Sequence, residues 1–108
     1  MPKGIFVVQS SPASAEVEDA FNAWYAGTHI PQVCAIPGFV GVRRYRLHDT
    51  TSADPATPAY LTIYDLEADD ITAPPAELRL RSAAGEVDKS DTLQTDPPPV
   101  VRLYELLD

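Results

Sequence analysis

The stretch FVGVRRYRLHDTTSADPATPAYLTIYDL, residues 39–66, decides the fold. Its first part, Phe39 to Leu47, alternates with period two: Phe39, Gly41, Arg43, Tyr45 and Leu47 fall on one side, Val40, Val42, Arg44 and Arg46 on the other, as in a strand. Its last part, Ala59 to Leu66, sets Tyr60, Thr62 and Tyr64 against Leu61, Ile63 and Asp65, and is rich in the β-branched and aromatic residues that suit a pleated surface. Between them, His48 to Pro58 is dominated by Asp, Thr, Ser and Pro and reads as a surface loop rather than a tight turn. The expectation is an antiparallel hairpin, and its flanks set the topology.

Upstream, Gly4 to Ser10 (GIFVVQS) reads as a strand. Ser14 is placed to cap a helix whose first turn carries Glu16, Glu18 and Asp19, where the helix dipole favours acids. Val17, Ala20, Phe21, Trp24 and Thr28 form its apolar stripe, and Phe21, Tyr25 and His29 a neighbouring row at i, i+4 spacing. Gly27 and Pro31 weaken the helix near His29, and residues 31–35 add a further turn before Pro37-Gly38 reverses the chain. Downstream, Ala76 to Ala84 reads as a short helix with Leu80, Ala83 and Ala84 inward and Gly85 as its stop. Glu86 to Pro99 lacks apolar periodicity and is expected to be a mobile loop, and Val100 to Leu107 closes as a strand.

The order β-α-β-β-α-β predicts an α+β, ferredoxin-like domain spanning residues 1–108, with a four-stranded antiparallel sheet and both helices on one face. The strands carry apolar residues on both faces: Leu103 and Leu107 oppose Tyr104 and Leu106 in the last one. Such a sheet would expose a large apolar patch, so the bare face is expected to meet its copy in a homodimer.

A net charge of −8 and the absence of any long basic run argue against nucleic acid as a partner. The single cysteine, Cys34, cannot form an intrachain disulfide and lies among apolar neighbours, so an inert thiol in a reducing, cytoplasmic setting is expected. Neither a signal peptide nor a membrane span is expected, since the longest mostly apolar run, Val33 to Val42, is broken by Pro37 and two glycines.

The string Trp24-Tyr25-Ala-Gly-Thr-His29-Ile-Pro31, then Ile36-Pro37-Gly38-Phe39 and Arg43-Arg44-Tyr45, resembles the dimeric α/β-barrel superfamily, and EthD-like members in particular. The resemblance covers about a quarter of the chain closely and the rest in element order only. It implies two sheets facing one another in a dimer, with an apolar pocket between sheet and helices in each subunit. Related proteins include cofactor-free cyclases and isomerases of polyketides, muconolactone isomerases, quinone-forming monooxygenases and some haem-handling enzymes. It carries over to His29, at the matching histidine, and to Trp24 and Tyr25 beside it. His48 lies at the far end of its strand, so a two-histidine metal site is not expected, and no cofactor is assigned.

These residues suggest a chemistry. His29 could exchange a proton with a phenol or with carbon beside a carbonyl, with Tyr25 one turn earlier orienting it. Trp24 and Phe21 offer flat walls, and Tyr45, Tyr60 and Tyr64 offer hydroxyls for a small, apolar, oxygenated ring. Arg43 or Arg44 could neutralise a carboxylate or enolate. The reading is a cofactor-independent lyase, isomerase or cyclase, or a cofactor-free monooxygenase, on an aromatic, polyketide-like or lactone compound. Each assignment has a second reading: His29 as a helix-end cap, the aromatic residues as packing, and the whole as a non-catalytic ligand-binding or assembly module.

Overall fold

The computed structural model describes residues 1–48 and 57–107; most of the expected loop between the hairpin strands lies outside them. Four strands, β1 (Lys3–Ser10), β2 (Phe39–Arg46), β3 (Tyr60–Glu67) and β4 (Val100–Glu105), form one sheet in the order β2-β3-β1-β4. Every neighbouring pair is antiparallel. A short 3-10 turn (Ala15–Val17) leads into helix α1 (Glu18–Trp24), which runs through a π-helical turn (Tyr25–His29) directly into α2 (Ile30–Cys34). Helix α3 (Ala73–Ala83) joins β3 to the loop before β4. This is the expected ferredoxin-like α+β arrangement, with the first helix continuous through Pro31.

One face of the sheet is covered. Phe6 on β1 and Tyr64 and Leu66 on β3 are buried against Val33 and Ile36, with Leu78 of α3 packed on the same cluster, so both helical segments lie on that side. Phe6, Phe39 and Tyr64 meet in edge-on and tilted pairs with centroids 5.5–6.2 Å apart. A second cluster of Phe21, Tyr25 and Tyr60 fixes α1 to the other end of β3. The opposite face carries Ile5, Val7, Leu61 and Ile63, with Tyr45 and Tyr104 about half exposed there.

The strict alternation read for β2 is corrected by a bulge. Phe39 pairs with Leu66, but Gly41 already pairs with Asp65, so one extra residue, Val40, shifts the strand's phase. Phe39 therefore shares the helix-facing side with Val42 and Arg44, while Arg43 and Tyr45 face the other way. A bulge leaves no mark in a hydropathy pattern when both faces are partly apolar.

Helix α3 begins three residues before the sequence suggests, because Pro74 and Pro75 stand in its first turn, where a missing N–H costs nothing. Both prolines are buried, which turns Leu78 toward the core; Leu80, Ala83 and Ala84, expected inward, are exposed. Ser14 precedes the first helical turn without capping it through its side chain. The loop after α3 is anchored rather than free: Ala13 N–H donates to Thr92 O at 2.6 Å, Gln94 N–H to Ser11 O at 2.9 Å, and Asp88 N–H to Gln32 Oε1 at 2.8 Å. Val87 is buried, and Leu93 packs on the Phe21 cluster.

Gly38 sits in the reversal before β2 with φ of +101°, and a Cβ there would press into the Pro74 ring. Backbone strain and steric clash add, so Gly38→Ala should cost about 2 kcal/mol or more and lower the melting midpoint by roughly 10 °C. A calorimetric scan that leaves the midpoint in place would show that the turn and α3 do not meet this closely.

Candidate functional site

The π-helical turn is what assembles the site. In an α-helix, residues five apart point about 140° away from one another around the axis. Here Ile30 N–H donates to Tyr25 O, five residues back, and the widened turn brings Trp24 and His29 to one side. Their rings stack with centroids 4.8 Å apart and 23° between planes. Tyr25 meets His29 edge-on at 4.9 Å. Pro31 supplies the cause: it cannot donate to the Gly27 carbonyl and its ring would crowd that group, so the turn before it opens.

These rings border a cleft of about 600 Å3 between helices and sheet. Phe6, Val8 and Ser10 of β1 form its floor, and Leu78 of α3, Leu93 of the anchored loop and Val101 of β4 its walls. Four of the bordering residues bury a polar atom that has no hydrogen-bond partner among the described residues: Ser10 Oγ, Trp24 Nε1, Tyr25 Oη and His29 Nδ1. An unpaired buried polar atom costs about 1–3 kcal/mol. Four beside one cleft are an unusual concentration of that cost.

Arg44 lies behind Tyr25. Its Cζ is 4.3 Å from the Tyr25 ring centroid, 5.2 Å from that of Tyr60 and 5.7 Å from that of Phe21. Arg44 Nη2 donates to Asn22 Oδ1 at 3.0 Å, Asn22 Nδ2 donates to Tyr60 Oη at 3.1 Å, and the Tyr60 hydroxyl donates to Glu18 Oε2 at 2.5 Å. The guanidinium is thus held by ring faces and a relay of hydrogen bonds, with no direct carboxylate contact among the described residues. Burial, and then the nearby Arg44 charge, push the His29 pKa down to about 4, so the imidazole is neutral at pH 7. Burial, reinforced by Tyr25, holds the Tyr64 phenol far above its usual range, so it remains protonated. Burial likewise raises Cys34, which stays a thiol.

Of the residues singled out in the sequence, His29, Tyr25 and Trp24 come together at the cleft. Phe21, Tyr60 and Tyr64 form the packed layer behind it, with the Tyr60 hydroxyl already bound to Glu18. Arg43 and Tyr45 do not border the cleft: the bulge places them on the opposite sheet face, where Arg43 pairs with Asp65 at 2.8 Å. Arg44 takes the inward position instead. Ser10, Leu93 and the α3 residues Leu78, Arg79 and Ser82 were not legible as site residues, since only the buried prolines reveal which face of α3 turns toward the sheet. Among the described residues, no three His, Cys, Asp or Glu side chains gather as metal ligands, and no helix is long and apolar enough to cross a membrane.

No family model matches the chain, and no curated protein matches it in sequence. Solved structures do match its fold. An ethyl tert-butyl ether D (EthD) family protein from Bacillus halodurans superposes with a TM-score of 0.65 at 14% identity, over 99% of this chain and 100% of that one. A candidate monooxygenase from Shewanella loihica gives 0.61 at 17% identity, over 100% and 98%. An EthD-like protein from Ralstonia eutropha gives 0.53 at 20% identity, over 94% and 91%. The fold of this chain is that of the EthD-like proteins, a ferredoxin-like α+β domain matched along nearly its whole length.

Proposed function

We propose that this protein is a cofactor-independent lyase, isomerase or cyclase acting on a small oxygenated ring compound, aromatic, polyketide-like or lactone, with His29 as general acid and base. The observation that carries this reading is a neutral His29 on the edge of a 600 Å3 cleft, beside donors that have no partner among the described residues. In this reading Trp24 Nε1–H and the Tyr25 hydroxyl, both buried beside the cleft, turn toward a bound substrate and donate to the oxygen on which negative charge develops. The imidazole takes a proton from the substrate and returns it at another position. Burial, and then Arg44, make the imidazolium short-lived, which favours the return step but weakens His29 as a base. The fitting substrates therefore have a proton that is already acidic, on a phenol or on carbon between two carbonyls. Cofactor-free oxygenation is the variant in which the deprotonated ring reacts with dioxygen, and oxygen consumption separates the two.

The bare sheet face completes the proposal. Ile5, Val7, Leu61 and Ile63 form an apolar centre flanked by Tyr45 and Tyr104, and a second copy of the chain is its simplest cover.

Replacing His29 by Ala should lower turnover at least about a hundredfold while circular dichroism is unchanged. An unaltered rate would remove His29 from the chemistry, and tight ring binding without turnover would point to a carrier module. In an NMR titration His29 should have its midpoint near 4. Because the unfolded chain titrates at about 6.5, it binds more protons than the folded one between these values, so this contribution to stability is full above pH 6.5 and is lost as pH falls toward 4. His29→Gln should flatten that part of the urea-midpoint profile; an equally steep profile would contradict the burial of a neutral imidazole. Ile63→Glu should convert a dimer to a monomer in light scattering, and a wild-type monomer at micromolar concentration would refute the pairing of sheet faces.

A further inference from the structure

The ligand class can be narrowed by the charges around the cleft. In a chain with 16 acidic and 8 basic residues, acids are the expected neighbours of any concavity. Three other hollows on the molecule conform: one has Asp65, Glu67 and Glu105 on its border, another Glu67 and Glu77, the third Asp69, Asp70 and Glu105. The His29 cleft has no acid among the described residues on its border, and it has Arg79.

Arg79 also differs from Arg81, its neighbour on α3. Arg81, two residues on along the same helix, is bound to Glu77 at 2.8 Å, whereas Arg79, like Arg44, makes no ion pair among the described residues. It is exposed, at the rim. Ser82 borders the cleft too, and its i, i+3 spacing puts it on the same side of α3 as Arg79. The cleft is bordered as well by Ser10, Tyr25 and His29, each with a buried polar atom that has no partner among the described residues, and by apolar side chains.

Building on the ring-binding reading above, we infer that the cleft takes an anionic ring compound, an apolar ring bearing a carboxylate, with the carboxylate on Arg79 and Ser82 at the rim and the ring's oxygens directed to His29. Holding the charge at the rim leaves it partly hydrated, so binding does not require burying a carboxylate. The apolar body supplies affinity and the rim supplies orientation.

Two fluorescent probes isolate the charge: anilinonaphthalenesulfonate and phenylnaphthylamine share one aromatic body and differ by the sulfonate. Trp24, the chain's single tryptophan, stands on the cleft and reports occupancy by energy transfer to either probe. Arg79→Gln should weaken the sulfonate about fivefold and leave the amine unchanged, and Arg81→Gln, which removes the same charge from a paired site, should affect neither. If Arg79→Gln leaves the sulfonate unaffected, or weakens both probes alike, the anionic-ligand inference is wrong while the role of His29 stands. Absence of energy transfer from both probes in the wild-type protein would overturn it together with the ring-binding reading beneath it.

Discussion

A guanidinium among three aromatic rings organises this molecule. Arg44 touches the faces of Phe21, Tyr25 and Tyr60 and, through Asn22 and Tyr60, is relayed to Glu18, so a single side chain from β2 ties the first helix to both strands of the central hairpin. Cation–π contacts are strongest where water is thin, which is the setting here. The same charge helps to keep His29 neutral. Fold and chemistry are therefore coupled at one residue, and its inward position depends on the bulge at Val40.

Much of the architecture is legible in the sequence because it rests on periodicities: the two-residue alternation of Tyr60 to Leu66 and the i, i+4 row of Phe21, Tyr25 and His29 name their elements and their buried faces. The site is legible only where it depends on one helix. Trp24, Tyr25 and His29 are near in sequence and stay together in space. What the sequence hides are changes of phase. One inserted residue in β2 exchanges Arg43 for Arg44, and two prolines drawn into the start of α3 exchange Leu80 for Leu78 and bring Arg79 and Ser82 to the cleft. Both depend on packing between elements distant in the chain, to which local pattern is blind.

The π-helical turn shows how one proline can be used without ending a helix. Pro31 removes a hydrogen bond and crowds a carbonyl, and the chain answers by widening the preceding turn rather than by stopping. That response stacks an imidazole on an indole. Structures sharing 14–20% of their residues with this chain keep the same fold, which is far below the level at which side-chain chemistry transfers, so the proposed function rests on this cleft and not on the likeness.

The pairing of β1 with β4 has a consequence for how the protein comes into being. Gly4 aligns with Glu105, and Val101 on β4 forms a wall of the cleft opposite helices made much earlier. During synthesis, the floor of the cleft, Trp24 and His29 leave the ribosome well before the strand that closes it. The nascent chain passes through a stage in which one edge of β1 is unpaired and the cleft is open along its length. Joining strands so far apart in the chain is also the slow kind of contact to make. Completion of the site is thus tied to the last of the four strands to be made.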